Sequence, residues 1–122
     1  MIIVLVRWQI KKGQKRAFLR EWEETLTPKD LSGLHREILA GPDEEVGDEY
    51  KTFDLISSSY ETLVNVGIWE SIAAFERAVG AFMRRRKARF EFKLRERIVL
   101  TPVSDRRGRY ELPPPSIGGE HE

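Results

Sequence analysis

The sequence predicts an α+β domain with four strands and two helices in the order β-α-β-β-α-β, and three observations point to it. Apolar and polar residues alternate with a period of two over Ile2–Ile10, Gly33–Ala40, Tyr60–Trp69 and Phe92–Val103. Helical-period stripes follow the first and third of these stretches. Turn residues (Lys11-Lys12-Gly13, Gly41-Pro42-Asp43 and Ser57-Ser58-Ser59) separate the segments.

The first strand places Ile2, Val4, Val6 and Trp8 on one face and Ile3, Leu5, Arg7 and Gln9 on the other. Both faces begin apolar, so both need cover. The spacing then predicts a helix over Gln14–Leu26, with Phe18, Leu19, Trp22 and Leu26 facing inward and Pro28 ending it. In the second strand Leu34, Arg36, Ile38 and Ala40 share a face, and His35, Glu37 and Leu39 share the other. The acidic stretch Asp43–Glu49 reads as a solvated loop, and Phe53–Ile56 as a short extra strand or a lead-in to the third. Ser71 is placed to cap a helix carrying Ile72, Phe75 and Val79, which pauses at Gly80. Ala81–Phe90 reads as a second helical segment. From Ser104 the chain turns polar, then Pro-rich and Gly-rich, so residues 1–103 form the domain and 104–122 a tail. The element order is that of the ferredoxin-like split βαβ arrangement, an antiparallel sheet with both helices on one face. The other sheet face, with Ile3, Leu5, Val64, Val66 and Ile68, is apolar. It is best covered by a second copy packed sheet to sheet, which predicts a homodimer.

Composition narrows the function classes. Twenty-one basic and 20 acidic residues give a net charge of +1, which argues against the broad basic footprint of a nucleic-acid binder. Cysteine is absent and the two histidines, His35 and His121, have no second ligand at metal spacing, so neither a disulfide nor a metal site is expected. No apolar run approaches the roughly 20 residues of a membrane span, and the alternating N-terminus has no signal-peptide character. A cytoplasmic protein without membrane partners is the expectation.

The third strand and its helix, Tyr60–Glu76, carry the candidate pocket. Leu63, Asn65, Gly67 and Trp69 share a face, while Thr62, Val64, Val66 and Ile68 make the more plainly core-forming one. Asn65, the only asparagine, is disfavoured in mid-strand and needs partners if buried. Gly67 leaves room between it and Trp69, about 13 Å along the strand. One flat ring fits such a gap.

These residues carry a resemblance. The chain resembles the antibiotic biosynthesis monooxygenase type of the dimeric α+β barrel superfamily in R-W-x-I-K-x-G (Arg7 to Gly13), G-L-x-x-E-x-L (Gly33 to Leu39) and N-V-G-x-W-x-S-x-x-A-F (Asn65 to Phe75). The resemblance implies a small aromatic, phenolic or quinol ligand and oxygenation without any cofactor. Asn65, Trp69 and Arg89 stand where the family's catalytic residues fall, and Val6, Trp8, Trp22, Leu63 and Phe75 would line the substrate pocket. Phe75 occupies a place where the family often has tyrosine. The haem-degrading branch needs an Asn where Val6 stands and a His near Val79–Gly80, so haem ligation is not implied.

Each feature also has a plainer reading. Trp69 serves equally as a core residue closing the sheet–helix interface. Arg7 suits an ion pair with Glu37 or Glu61 at a subunit interface. Exposed structure accounts for His35, and a solvated helix face for Met83–Lys87. With no obvious general base near neutrality, a non-catalytic barrel that binds a ligand stands beside the oxygenase.

Overall fold

The computed structural model describes residues 1–24, 30–50, 55–80 and 87–109. Within them the chain forms β1 (Ile2–Lys11), α1 (Lys15–Glu24), β2 (Leu34–Ala40), a short 3-10 turn (Asp48–Tyr50), β3 (Tyr60–Trp69), α2 (Ile72–Val79) and β4 (Glu91–Leu100). The sheet is antiparallel throughout in the order β2-β3-β1-β4. This is the expected ferredoxin-like α+β architecture. The expectations for Leu26, Pro28, Phe53–Asp54, residues 81–86 and Tyr110–Glu122 lie outside the described residues. Lys87 and Ala88 are not helical and Arg89-Phe90 form a turn, so the expected helix over Ala81–Phe90 does not reach its end.

β1 is central because it pairs with both β3 and β4, with Val6 opposite Asn65 on one side and Arg97 on the other. Its even-numbered residues Val4, Val6, Trp8 and Ile10 are buried under the helices, together with Leu63 and Trp69 of β3. Phe18 of α1 joins them, fully buried, its ring 4.9 Å from Trp8 and 5.1 Å from Phe90. The helix-covered face of β3 is therefore the better buried one, contrary to the reading that put the core on the Val64 side. Burial follows the helices, which supply the only cover a single chain has here among the described residues.

α2 begins as expected: the Ser71 hydroxyl accepts from the Ala74 amide at 3.1 Å, satisfying a free N–H of the first turn. Its buried stripe is Ala74, Phe75, Ala78 and Val79, whereas Ile72 is 42% exposed. Small alanines let the helix sit close to the sheet. At Gly33 a side chain would run into Ala74, and the Gly33 carbonyl accepts from the Glu70 amide at 2.7 Å.

β2 departs from strict alternation. Leu34 pairs with Trp69 and Arg36 with Ile68, so His35 is an extra residue at a bulge. Leu34 consequently shares the helix-covered side with Glu37 and Leu39, and Leu34 and Leu39 both pack on the core. Across the sheet, Ile3, Leu5, Val64, Val66 and Ile68 are only half-buried, and Ile98 and Leu100 of the edge strand are 53% and 40% exposed. That face lacks a cover within one chain.

Candidate functional site

The helix-covered sheet face holds a polar pair, of which the alternation of β3 reveals Asn65 but not its partner Glu37. Asn65 is 7% exposed, and its Nδ2 donates to Glu37 Oε2 at 2.9 Å across the β2–β3 ladder. Glu37 pairs with Gly67 and Leu39 with Asn65, so the bond runs diagonally between the strands. Asn65 Oδ1 is buried with no hydrogen-bond partner. The amide thus satisfies a carboxylate with one end and leaves an acceptor open at the other.

Burial pushes the Glu37 carboxyl above its ordinary range, and the hydrogen bond from Asn65 opposes that rise only in part. A half-buried carboxyl whose proton is held more tightly than usual can exchange it with a bound ligand. Glu37 is the group that sequence reasoning missed. The sequence offers Glu37 or Glu61 as an ion-pair partner of Arg7, but Arg7 lies on the uncovered face and binds Glu96 of β4, its Nε 2.7 Å from Oε1. The cue was Leu39: an apolar residue two positions on along the strand puts Glu37 on the core side.

The gap expected above Gly67 is filled. A Cβ at Gly67 would lie 2.7 Å from Trp69 Nε1, so the indole folds back over the glycine. Trp69 is 1% exposed and meets Phe75 edge-on at 5.6 Å. Its ring is committed to packing, and a flat ligand cannot occupy the place that the spacing suggested. Glycine is required here to admit the indole.

Val6, Trp8, Leu63 and Phe75 are buried on the same face, and Trp22 is half-buried against them. Trp8 carries a second open polar atom, since its Nε1 is buried without a partner. Arg95 lies over the Trp8 ring at 5.0 Å and binds the fully buried Glu91 at 2.8 Å. Arg97, opposite Val6, is held below its ordinary range by burial and then by the neighbouring Arg95, with Glu91 opposing. Arg89 stands apart from this group. It is exposed in the turn before β4, where the Phe90 carbonyl accepts from the Lys11 amide, about 16 Å along β1 from Val6. Among the described residues Arg97 and Arg95, rather than Arg89, are the arginines on the Asn65 face.

No arrangement of three or more acidic, histidine or cysteine side chains able to hold a metal exists among the described residues. His35 is exposed on the β2 bulge, with Nε2 2.8 Å from Glu70. No helix among the described residues is long and apolar enough to cross a membrane.

No protein-family model matches the sequence, and no curated protein sequence matches it significantly. Solved structures do. A variant of MhuD, with two manganese protoporphyrin IX groups bound per active site, superposes with a TM-score of 0.58 at 15% identity, over 88% of this chain and 100% of its own. A candidate antibiotic biosynthesis monooxygenase from Bacillus cereus superposes with a TM-score of 0.55 at 11% identity, over 88% of this chain and 97% of its own. The chain shares the fold of these proteins, in line with the resemblance drawn from its motifs.

Proposed function

We propose that the protein is a dimeric barrel that binds a small electron-rich phenolic or quinol compound on the helix-covered sheet face and oxygenates it without a cofactor. The observation that carries this reading is the Glu37–Asn65 pair: a carboxyl with raised proton affinity beside a buried amide whose oxygen lacks a donor. A phenolic hydroxyl of the substrate would donate to Asn65 Oδ1, and the Glu37 carboxylate would remove the proton that activates the ring system. For an anthrone-type substrate the resulting carbanion passes an electron to O₂, and the two radicals combine into a peroxide anion, which takes back the proton held by Glu37 to become a hydroperoxide. Loss of water leaves a carbonyl, so R₂CH₂ and O₂ become R₂C=O and H₂O. Arg97 adds positive charge on the same face, which favours the anionic form of the substrate. Trp69 holds the wall rather than stacking on the ligand.

A porphyrin does not fit this site. His35, the only histidine among the described residues, lies outside the face on an exposed bulge and is engaged by Glu70. The space over Gly67 is taken by Trp69.

A second reading, a non-catalytic ligand-binding barrel, is favoured by the packing of Trp69 and Phe75, which closes one end of the face. Oxygen uptake separates the two. The wild-type protein should consume O₂ with an anthrone or a quinol, and Glu37→Gln should lower the rate by about 10²-fold. Quenching of tryptophan fluorescence by these compounds without O₂ uptake would leave the binding barrel. Absence of both effects would remove both readings.

A further inference from the structure

A cavity of about 250 Å³ lies away from the Glu37–Asn65 pair, past the end of β2, where Tyr60–Leu63 of β3 have no strand partner on that side among the described residues. Its walls are charged by side. Lys12 and Lys15 come from the β1–α1 junction, on the β1 flank of β3, and Glu44 from the loop after β2, on the opposite flank. Glu61 and Thr62 of β3 lie between them. Among the described residues none of the four charged side chains forms an ion pair, so the cavity holds opposite charges apart.

Two further observations mark this place as a receiving site. Glu61 Oε1, on the helix-covered face of β3, the side on which α1 packs, is buried without a hydrogen-bond partner. Buried polar oxygens of this kind ordinarily find a partner from the protein, water or a ligand. The first turn of α1 contains no acidic residue and begins with Lys15 and Arg16. Positive side chains at the positive end of a helix are mutually unfavourable, and a bound anion relieves them.

We propose that this cavity binds a small zwitterion of the amino-acid type. Its carboxylate meets Lys12, Lys15 and the start of α1, and its ammonium meets Glu61 and Glu44. A singly charged molecule satisfies one wall and leaves the other unmet. The site is independent of the oxygenase reading, since it shares no residue with it.

The test is calorimetric titration of the full chain with the ω-amino acids from β-alanine to 6-aminohexanoate, with butyrate and butylamine as single-charge controls. One amino acid of the series should bind at least about tenfold more tightly than either control. Lys12→Ala, at an exposed position, should weaken the amino acid and butyrate together. Glu61→Gln should weaken the amino acid and butylamine but spare butyrate, with circular dichroism confirming that the variant is folded. Butyrate binding as tightly as the best amino acid would overturn the proposal in favour of a plain anion site. Absence of heat with every compound would overturn it outright, and Lys12→Ala without effect on a binding amino acid would displace the site from this cavity.

Discussion

Asn65 donates to Glu37 across the β2–β3 ladder while its own carbonyl oxygen is buried without a partner. The two residues therefore share one unfinished hydrogen-bond network, and its state depends on the proton of Glu37.

That dependence has a definite sign. Burial raises the Glu37 pKa above its ordinary 4.5 in the folded chain. The folded state then holds the proton more tightly than the unfolded one, and Glu37 disfavours folding increasingly as pH rises from about 4.5 through the folded value. Above that value the penalty is complete. Glu37→Gln removes the titration while keeping an acceptor for Asn65. Urea denaturation at a series of pH values should show the stability of the variant relative to wild type growing with pH over this window. A constant difference would mean that Glu37 has the same pKa folded and unfolded.

The packing of Trp69 yields a second expectation. Gly67→Ala places a methyl group 2.7 Å from the indole nitrogen, and a ring 1% exposed and braced by Phe75 has little room to retreat. Overpacking of this kind costs about 1–3 kcal/mol. The melting temperature should fall and the near-ultraviolet circular dichroism of the tryptophans should change. Adding Trp69→Phe should restore part of the loss. An unchanged melting temperature for Gly67→Ala would show that the indole does not rest on the glycine.

How far the sequence could be read follows from what each residue reports. Strand positions were legible because alternation is a local signal, and β3 spans the residues that its pattern defined. Ser71 was legible as a cap because capping needs only the next turn. The β2 bulge was not, since one extra residue at His35 leaves no local mark and yet moves Leu34 to the other face. Glu37 was hidden for a related reason: Asn65 and Glu37 are 28 residues apart, and their pairing depends on a register that only the folded sheet fixes. The filling of the Gly67 gap depends on the Trp69 rotamer, which strand periodicity does not encode. Family motifs located Asn65 and Trp69 in sequence, but their partners came from geometry.

The uncovered sheet face supports a prediction about assembly. Val64, Val66 and Ile68 are half-buried and continue toward exposed Ile98 and Leu100. A homodimer through this face is the proposal, and sedimentation at micromolar concentration should report twice the 14.2 kDa chain mass. Val66→Asp should produce monomer or loss of fold, because it sets a charge in an apolar interface. Truncation after Ser104 should leave the fold intact and weaken the dimer. A wild-type monomer that stays stable and folded at these concentrations would show that the half-buried face tolerates water.

The last prediction concerns the pair beneath Trp8. Glu91 is fully buried, accepts from the Ala88 and Arg95 amides, and binds the Arg95 guanidinium at 2.8 Å. Arg95 in turn covers the Trp8 ring, so it neutralises the carboxylate and closes the edge of the core. Arg95→Met keeps the length of the side chain but leaves the carboxylate without its cation. Removing one partner of such a buried pair costs about 3–5 kcal/mol, whereas replacing both partners together is often nearly neutral. The double variant Glu91→Gln with Arg95→Met should therefore be markedly more stable than Arg95→Met alone, with the glutamine still able to accept from the Ala88 amide. Chemical denaturation of the set gives the coupling energy directly. A coupling below about 0.5 kcal/mol would make the two side chains independent and assign the role of Arg95 to its contact with Trp8.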